Sequence, residues 1–120
     1  MDIQTIKKRR DFLKGNKAPY AAMPSVVVQS YLRTDEVVKT DDSIMMGITC
    51  SKKVGNAVIR NRAKRRLREA GRVVLKGIGS KKTNYIFIAR KATTVKVKFA
   101  ALCREIEIGI KKIHEQEAGQ

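Results

Sequence analysis

Lys52-Lys53-Val54-Gly55-Asn56-Ala57-Val58-Ile59-Arg60-Asn61-Arg62-Ala63-Lys64-Arg65-Arg66-Leu67-Arg68-Glu69 holds a break in pattern followed by the first half of a helix. Gly55 interrupts the preceding pattern, and the Asn56 side chain is suited to accept from the free backbone N–H groups that open a helix. Ile59, Ala63, Leu67, Ala70 and Val74 then recur every three or four residues, an apolar stripe that predicts a helix to about Lys76, ended by Gly77. Nearly everything off that stripe is cationic.

Strand patterns flank this helix. Ile44 to Ser51 alternates Met46, Ile48 and Cys50 with Gly47, Thr49 and Ser51, a strand with one small, polar face. Ser25 to Arg33 is β-branched, and Val26, Val28 and Leu32 are expected to face the core while Gln29, Tyr31 and Arg33 project oppositely. The polar run Arg33 to Ser43 reads as the connection between the two. Downstream, Tyr85 to Ala89 is a short apolar run fitting an inner strand, and Val95 to Gln116 places Phe99, Leu102, Cys103, Ile106, Ile110 and Ile113 on one helical face. Upstream, Ile6 to Leu13 is expected to be a short helix, stopped by Gly15-Asn16 and Pro19, with extra strand pairing open near Lys17 to Tyr20. The order α-β-β-(β)-α-β-α defines a small α+β domain, one sheet covered on one face by helices. The opposite face, carrying Gln29, Tyr31, Gly47, Thr49 and Ser51, is left as a shallow floor.

At 120 residues the chain has room for one core, so residues 1–120 are read as a single domain whose ends, 1–4 and 117–120, fray. It holds 42% hydrophobic residues, enough to fold, and no apolar run long enough to cross a membrane, nor an apolar N-terminal signal. A cytoplasmic location is expected. Cys50 and Cys103 lie in apolar-periodic segments and read as reduced core thiols.

The formal charge of +16 far exceeds what solubility requires and points to a polyanion. Between Lys52 and Arg72, nine basic residues meet one acid, Glu69, and residues 76–98 hold seven basic and no acidic residues. On the helix, the like-charged i,i+4 pairs 60/64, 62/66, 64/68 and 68/72 each cost on the order of 0.2–0.5 kcal/mol. Together that is roughly 1–2 kcal/mol of self-repulsion, a sizeable share of a small domain's stability. A merely solvated face mixes its signs. Arginine forks match phosphates, and Asn61 adds a donor and acceptor for sugar or base edges. Phe12, between Arg9-Arg10 and Lys14, and Tyr31 on the open sheet face are placed to stack on unpaired bases; ordinary packing is the competing reading of both.

No catalytic constellation accompanies this charge. His114, beside Glu115 and Glu117 near the end of the last helix, reads as a surface residue. The pairs Asp35-Glu36 and Asp41-Asp42 are adjacent in sequence and diverge instead of converging on an ion. The polypeptide is expected to be catalytically silent and to bind no metal alone. On charge, a ribosomal or ribosome-assembly protein fits equally well. A DNA regulator fits less well, because a helix cationic on nearly every exposed side leaves few positions to read base edges, and no DNA partner or membrane partner is expected.

The quoted stretch, together with Tyr85-Ile86-Phe87-Ile88-Ala89-Arg90 and Phe12 in the first helix, closely resembles the bacterial ribonuclease P protein component across most of residues 6–113. The resemblance implies a subunit of a ribonucleoprotein endonuclease that removes the 5′ leader of precursor tRNA, with catalysis by the RNA subunit and Mg²⁺ held in the ribonucleoprotein. It implies that Lys52, Lys53, Asn56, Arg60, Asn61, Arg62, Lys64, Arg65 and Arg68 bind the catalytic RNA subunit. It also implies that Arg9, Phe12, Gln29, Tyr31, Thr49 and Ser51 line a cleft for the precursor tRNA 5′ leader. The crossover through the basic helix would be left-handed, against the general preference. Two departures stand out: a second aromatic one turn after Phe12 is missing, and Gln29 stands where many relatives carry Tyr, with Tyr31 two residues later.

Overall fold

The structure is a computed structural model that describes residues 3–7, 9–15, 17–33 and 42–118. Along the chain these form β1 (Ile3–Thr5), α1 (Arg9–Gly15), β2 (Tyr20–Ala22), β3 (Val26–Leu32), β4 (Ile44–Thr49), a 3-10 turn (Lys52–Val54), α2 (Ala57–Ile78), β5 (Thr83–Ala89), α3 (Thr93–Lys96) and α4 (Phe99–Ala118). The strands make one mixed sheet in the order β1-β4-β5-β3-β2. β5 lies at its centre, parallel to β4 and antiparallel to β3. α2 thus makes the expected crossover between adjacent parallel strands.

Register sorts the residues of the sheet into two faces. Gln29 pairs with Ile86 and Gly47 also pairs with Ile86, so these share a face; Val28, Phe87 and Ile48 share the other. On that second face α2 and α4 pack against each other and the sheet. Leu67, Ala70 and Leu75 of α2 and Leu102, Ile106, Ile110 and Ile113 of α4 meet Val26, Val28, Met46, Tyr85 and Phe87 in one core. Each such large side chain contributes about 1.5–3 kcal/mol on burial. The close approach of α2 requires Gly71, where a β-carbon would lie 2.6 Å from both Met46 Sδ and Phe87 Cε2.

Several expectations from the sequence need correction. Ile3–Thr5 is a strand pairing parallel to β4, and α4 runs to Ala118; of the ends expected to fray, residues 1–2 and 119–120 lie outside the described residues. Three residues are too short a run for periodicity to reveal. The first helix begins at Arg9, not Ile6; Ile6 is instead buried, its N–H bonded to Met46 O at 2.9 Å. The possible pairing near Lys17 to Tyr20 is β2, at Tyr20–Ala22 on β3. Leu32, the last residue of β3, is 58% exposed, and buried Ser30 takes its alternation with Val26 and Val28. α2 runs past Gly77 to Ile78, capped at Gly79, whose N–H bonds Leu75 O. The last helix is two, because Val97 N bonds back to Thr93 O and closes α3 before α4 starts at Phe99. Phe99, 38% exposed, is therefore not core. Ile59, at the first turn of α2, is 37% exposed.

His114 is not a surface residue. It is half-buried, with Nε2 3.1 Å from the hydroxyl of fully buried Tyr85, which also accepts from Ser80 N–H at 2.8 Å. This ties the end of α4 to the turn between α2 and β5. Residues 34–41, with Asp35, Glu36 and Asp41, lie outside the described residues.

Candidate nucleic-acid interface

Asn56 caps α2: its side-chain oxygen accepts from Ile59 N–H at 2.9 Å. Gly55 ahead of it, at φ 156°, ψ −165°, occupies backbone space open to glycine, and a β-carbon there would strike Ile59 Cγ2 at 2.8 Å. With Ala63, Leu67, Ala70 and Gly71 turned inward, helical spacing sorts the cations. Arg62 and Arg65 are exposed on the outward side. Lys64 and Arg68 flank the sheet's open side, and both border a hollow with Thr5, Ile6, Phe12, Met46 and Ile48. Lys52, Lys53, Asn56 and Asn61 are exposed, while Arg60 and Lys64 are half-buried.

Arg66 is different. Its Nε donates to Thr94 O at 3.1 Å and its Nη2 to Val97 O, so the guanidinium holds α3 against α2. The repulsive cationic row therefore includes one residue with a structural role, which charge counting from sequence could not separate from its neighbours.

The sheet's open face forms the floor of a cleft of about 570 Å³, lined by Lys7, Arg9, Phe12, Gln29, Thr49, Cys50, Lys64, Ile86 and Ile88; Ile48 also borders it, although its register with Phe87 puts it on the core face. α1 packs on β3 over this face, so the sheet has helices on both sides, although α1 covers only part of this one. Phe12 sits where it does because Gly47 lacks a side chain: a β-carbon at Gly47 would lie 2.6 Å from Phe12 Cε1. Backbone and half-buried ring are thus in direct contact.

Of the residues expected in this cleft, Arg9, Phe12, Gln29 and Thr49 are brought together. Ser51 and Tyr31 are not among its lining. Ser51 is exposed ahead of the 3-10 turn. Tyr31 lies on the same face as Gln29, but its hydroxyl accepts from Asn84 Nδ2 at 2.8 Å, and Asn84 Oδ1 accepts from Arg33 Nη1 at 2.7 Å. Arg33 Nη2 further donates to Ser43 O at 2.6 Å. This network at the far end of the face engages Tyr31.

Lys7, Lys64, Cys50, Ile86 and Ile88 are cleft residues the sequence did not assign to it. Ile86 and Ile88 could have been separated from Tyr85 and Phe87 by simple alternation, had Tyr85–Ala89 not read as an inner strand buried on both sides. Cys50 and Cys103 are free and half-buried at the core's margin, not inside it. Burial pushes both thiols up from the ordinary cysteine value; at Cys50 the nearby Lys64 and Arg60 charges oppose that push without cancelling it.

A cationic helix bordering an apolar-floored cleft, on a small α+β scaffold, has the form of a nucleic-acid-binding protein. The family model for Ribonuclease P matches residues 2–114. The chain belongs to the ribonuclease P protein family, whose members are the protein component of the ribonucleoprotein that processes the 5′ end of tRNA. It is 42% identical over 112 residues to the ribonuclease P protein component of Ruegeria pomeroyi, covering 93% of this chain and 87% of that one. It is 36% identical over 129 residues to that of Caulobacter vibrioides, covering 99% and 84%. Among solved structures, the Staphylococcus aureus RNase P protein superposes with a TM-score of 0.69 at 31% identity, covering 89% of this chain and 92% of that one. The RNase P protein from Thermotoga maritima shares the fold, with a TM-score of 0.69 at 24% identity over 92% and 94% of the two chains. The ribosomal alternative, equal on charge alone, gives way to this membership.

Among the described residues there is no helix long and apolar enough to cross a membrane, and no group of three or more His, Cys, Asp and Glu side chains that could hold a metal ion.

Proposed function

We propose that the chain acts in the bacterial cytoplasm as a non-catalytic subunit, docking on the catalytic RNA through α2 and taking the 5′ leader of precursor tRNA in the cleft beneath α1. The observation that carries this reading is Lys64, a cation of α2 that also lines the cleft, so that phosphate-binding and base-stacking surfaces are continuous. On α2, Arg60, Arg62, Arg65 and Arg68 lower the repulsion between two RNAs. In the cleft, Ile86 and Ile88 form an apolar floor, Phe12 offers a ring face, and Lys7, Arg9 and Lys64 are cations for the leader's backbone. A mature tRNA lacks the leader and forgoes these contacts, so discrimination is a difference in binding, not in chemistry. The Mg²⁺ ions that would serve hydrolysis belong, in this reading, to RNA phosphates, since the described carboxylates form no ligand cluster.

The test is reconstitution. The purified chain, a bacterial ribonuclease P RNA and a leader-bearing tRNA are combined at low magnesium, and leader removal is expected only when RNA and protein are both present. Cleavage by the polypeptide alone would end this reading. Phe12→Ala is expected to reduce the preference for precursor over mature tRNA by about 1–3 kcal/mol, read from the ratio of the two binding constants. Equal weakening of both substrates would make Phe12 a folding residue instead.

A further inference from the structure

Of the seven basic residues between 76 and 98, none lines the cleft and only Lys76, in the last turn of α2, belongs to that helix; the fold divides them between opposite ends of β5. Lys76, Lys81 and Lys82 lie at its start, where Lys82 Nζ is 3.7 Å from Asp42. Arg90, Lys91, Lys96 and Lys98 follow its carboxyl end, all exposed. Because β4 and β5 are parallel neighbours, this is also the end at which β4 delivers Lys52, Lys53 and the N-terminus of α2.

The group is held in place. Arg66 bonds the carbonyls of Thr94 and Val97, fastening α3 to the flank of α2 opposite Lys64 and Arg68. Arg90 N–H donates to Thr94 Oγ1 at 2.8 Å, that hydroxyl donates to Ser25 O at 2.6 Å, and Arg90 Nη1 donates to Met23 O at 3.1 Å. A carboxylate at this end, Glu105, borders a groove with Lys98 but already accepts from Ser25 N–H at 2.7 Å. Lys91, Lys96 and Lys98 therefore project from a turn that Arg66, one helical turn beyond Arg62, holds against α2, with like charge around them. Such repulsion is relieved by a run of phosphates.

We propose that this α3 turn is a second phosphate-binding surface, and that it takes a separate backbone segment of the RNA subunit, while the leader occupies the cleft on the other flank of α2. The inference rests on the docking reading above. α2 stands between the two surfaces, so one stretch of leader cannot occupy both, which assigns the turn to the RNA subunit and not to the substrate.

The experiment uses the full chain carrying Lys91→Ala, Lys96→Ala and Lys98→Ala together, with Arg62→Ala/Arg65→Ala in parallel, and a bacterial ribonuclease P RNA as probe. Binding is measured from 50 to 200 mM salt, and the ratio of precursor to mature tRNA binding is measured in the reconstituted particle. The lysine variant is expected to lower the salt slope by two to three, so that its affinity falls about fortyfold less than the parent's across that range. The precursor-to-mature ratio is expected to stay unchanged. An unchanged slope, with the arginine variant flattened, overturns the second surface and leaves the α2 reading intact. Unchanged slopes in both overturn the docking reading and this inference with it. A changed precursor-to-mature ratio at unchanged slope assigns the lysines to substrate and also overturns the proposal. Should the triple variant unfold, Lys96→Glu alone is expected to lower the slope by at least about 0.9, with the precursor-to-mature ratio again unchanged, and an unchanged slope overturns the proposal in the same way.

Discussion

Gly47 has no side chain, and the ring of Phe12 lies where one would be. Gly47→Ala would put a methyl group 2.6 Å from Phe12 Cε1 and force the ring off the sheet. It is expected to reproduce the loss of precursor preference seen with Phe12→Ala while retaining affinity for the RNA subunit, as filter binding of both tRNAs would show. Cys50 reports on the same cleft. Burial raises its thiol value, so less thiolate is present at neutral pH than on a free cysteine, and alkylation there should be slow. Labelling by iodoacetamide is expected to accelerate as pH climbs through and beyond the ordinary thiol range. A single-stranded RNA oligonucleotide should protect Cys50, which lines the cleft, but not Cys103, which borders a groove between α2 and α4. Equal protection of both would count against the cleft as the binding site.

At the scale of elements, α2 combines a buried side that belongs to the core with an exposed cationic side. Its inward side, Ala63, Leu67, Ala70 and Gly71, consists of small or compact residues that let the helix sit close to β4 and β5, and the charges occupy what remains. In the proposed reading, exposed Arg62 and Arg65 are the residues expected to meet phosphate most directly, because neither lies on the buried stripe and neither holds another element. Each Ala substitution is expected to lower the salt slope for RNA binding by about 0.9, the share of one neutralised phosphate, with melting temperature unchanged or raised for Arg62, which repels Arg66, and unchanged or slightly lowered for Arg65, whose i,i+4 neighbour is Glu69. Arg66, in the same row, should behave differently. Its removal would free the carbonyls of Thr94 and Val97 and destabilise the fold by about 1–3 kcal/mol, measured by urea unfolding, and Arg66→Lys should not restore it because a point charge cannot span both carbonyls.

For the whole molecule, a charge of +16 makes stability and binding respond to salt in opposite directions. Screening relieves self-repulsion, so the free chain should melt higher at 200 than at 50 mM salt. If about six phosphates are neutralised, affinity for RNA should fall about a thousandfold over the same interval. Differential scanning fluorimetry and binding isotherms on one preparation would show both trends, and a melting point indifferent to salt would count against the repulsion inferred for α2. The α+β class, the limits of β3 to β5 within a residue or two, the N-cap at Asn56 and the family were all legible along the chain, because each is carried by local periodicity or by a contiguous motif. Folding in three dimensions was needed to establish that Ile3–Thr5 is a strand, that Tyr31 is engaged by Asn84, that His114 meets Tyr85, that Arg66 is structural, and that Lys64 joins the helix to the cleft. Those assignments depend on which side chains long-range strand register and helix packing bring within bonding distance, and no pattern along the chain encodes such distances.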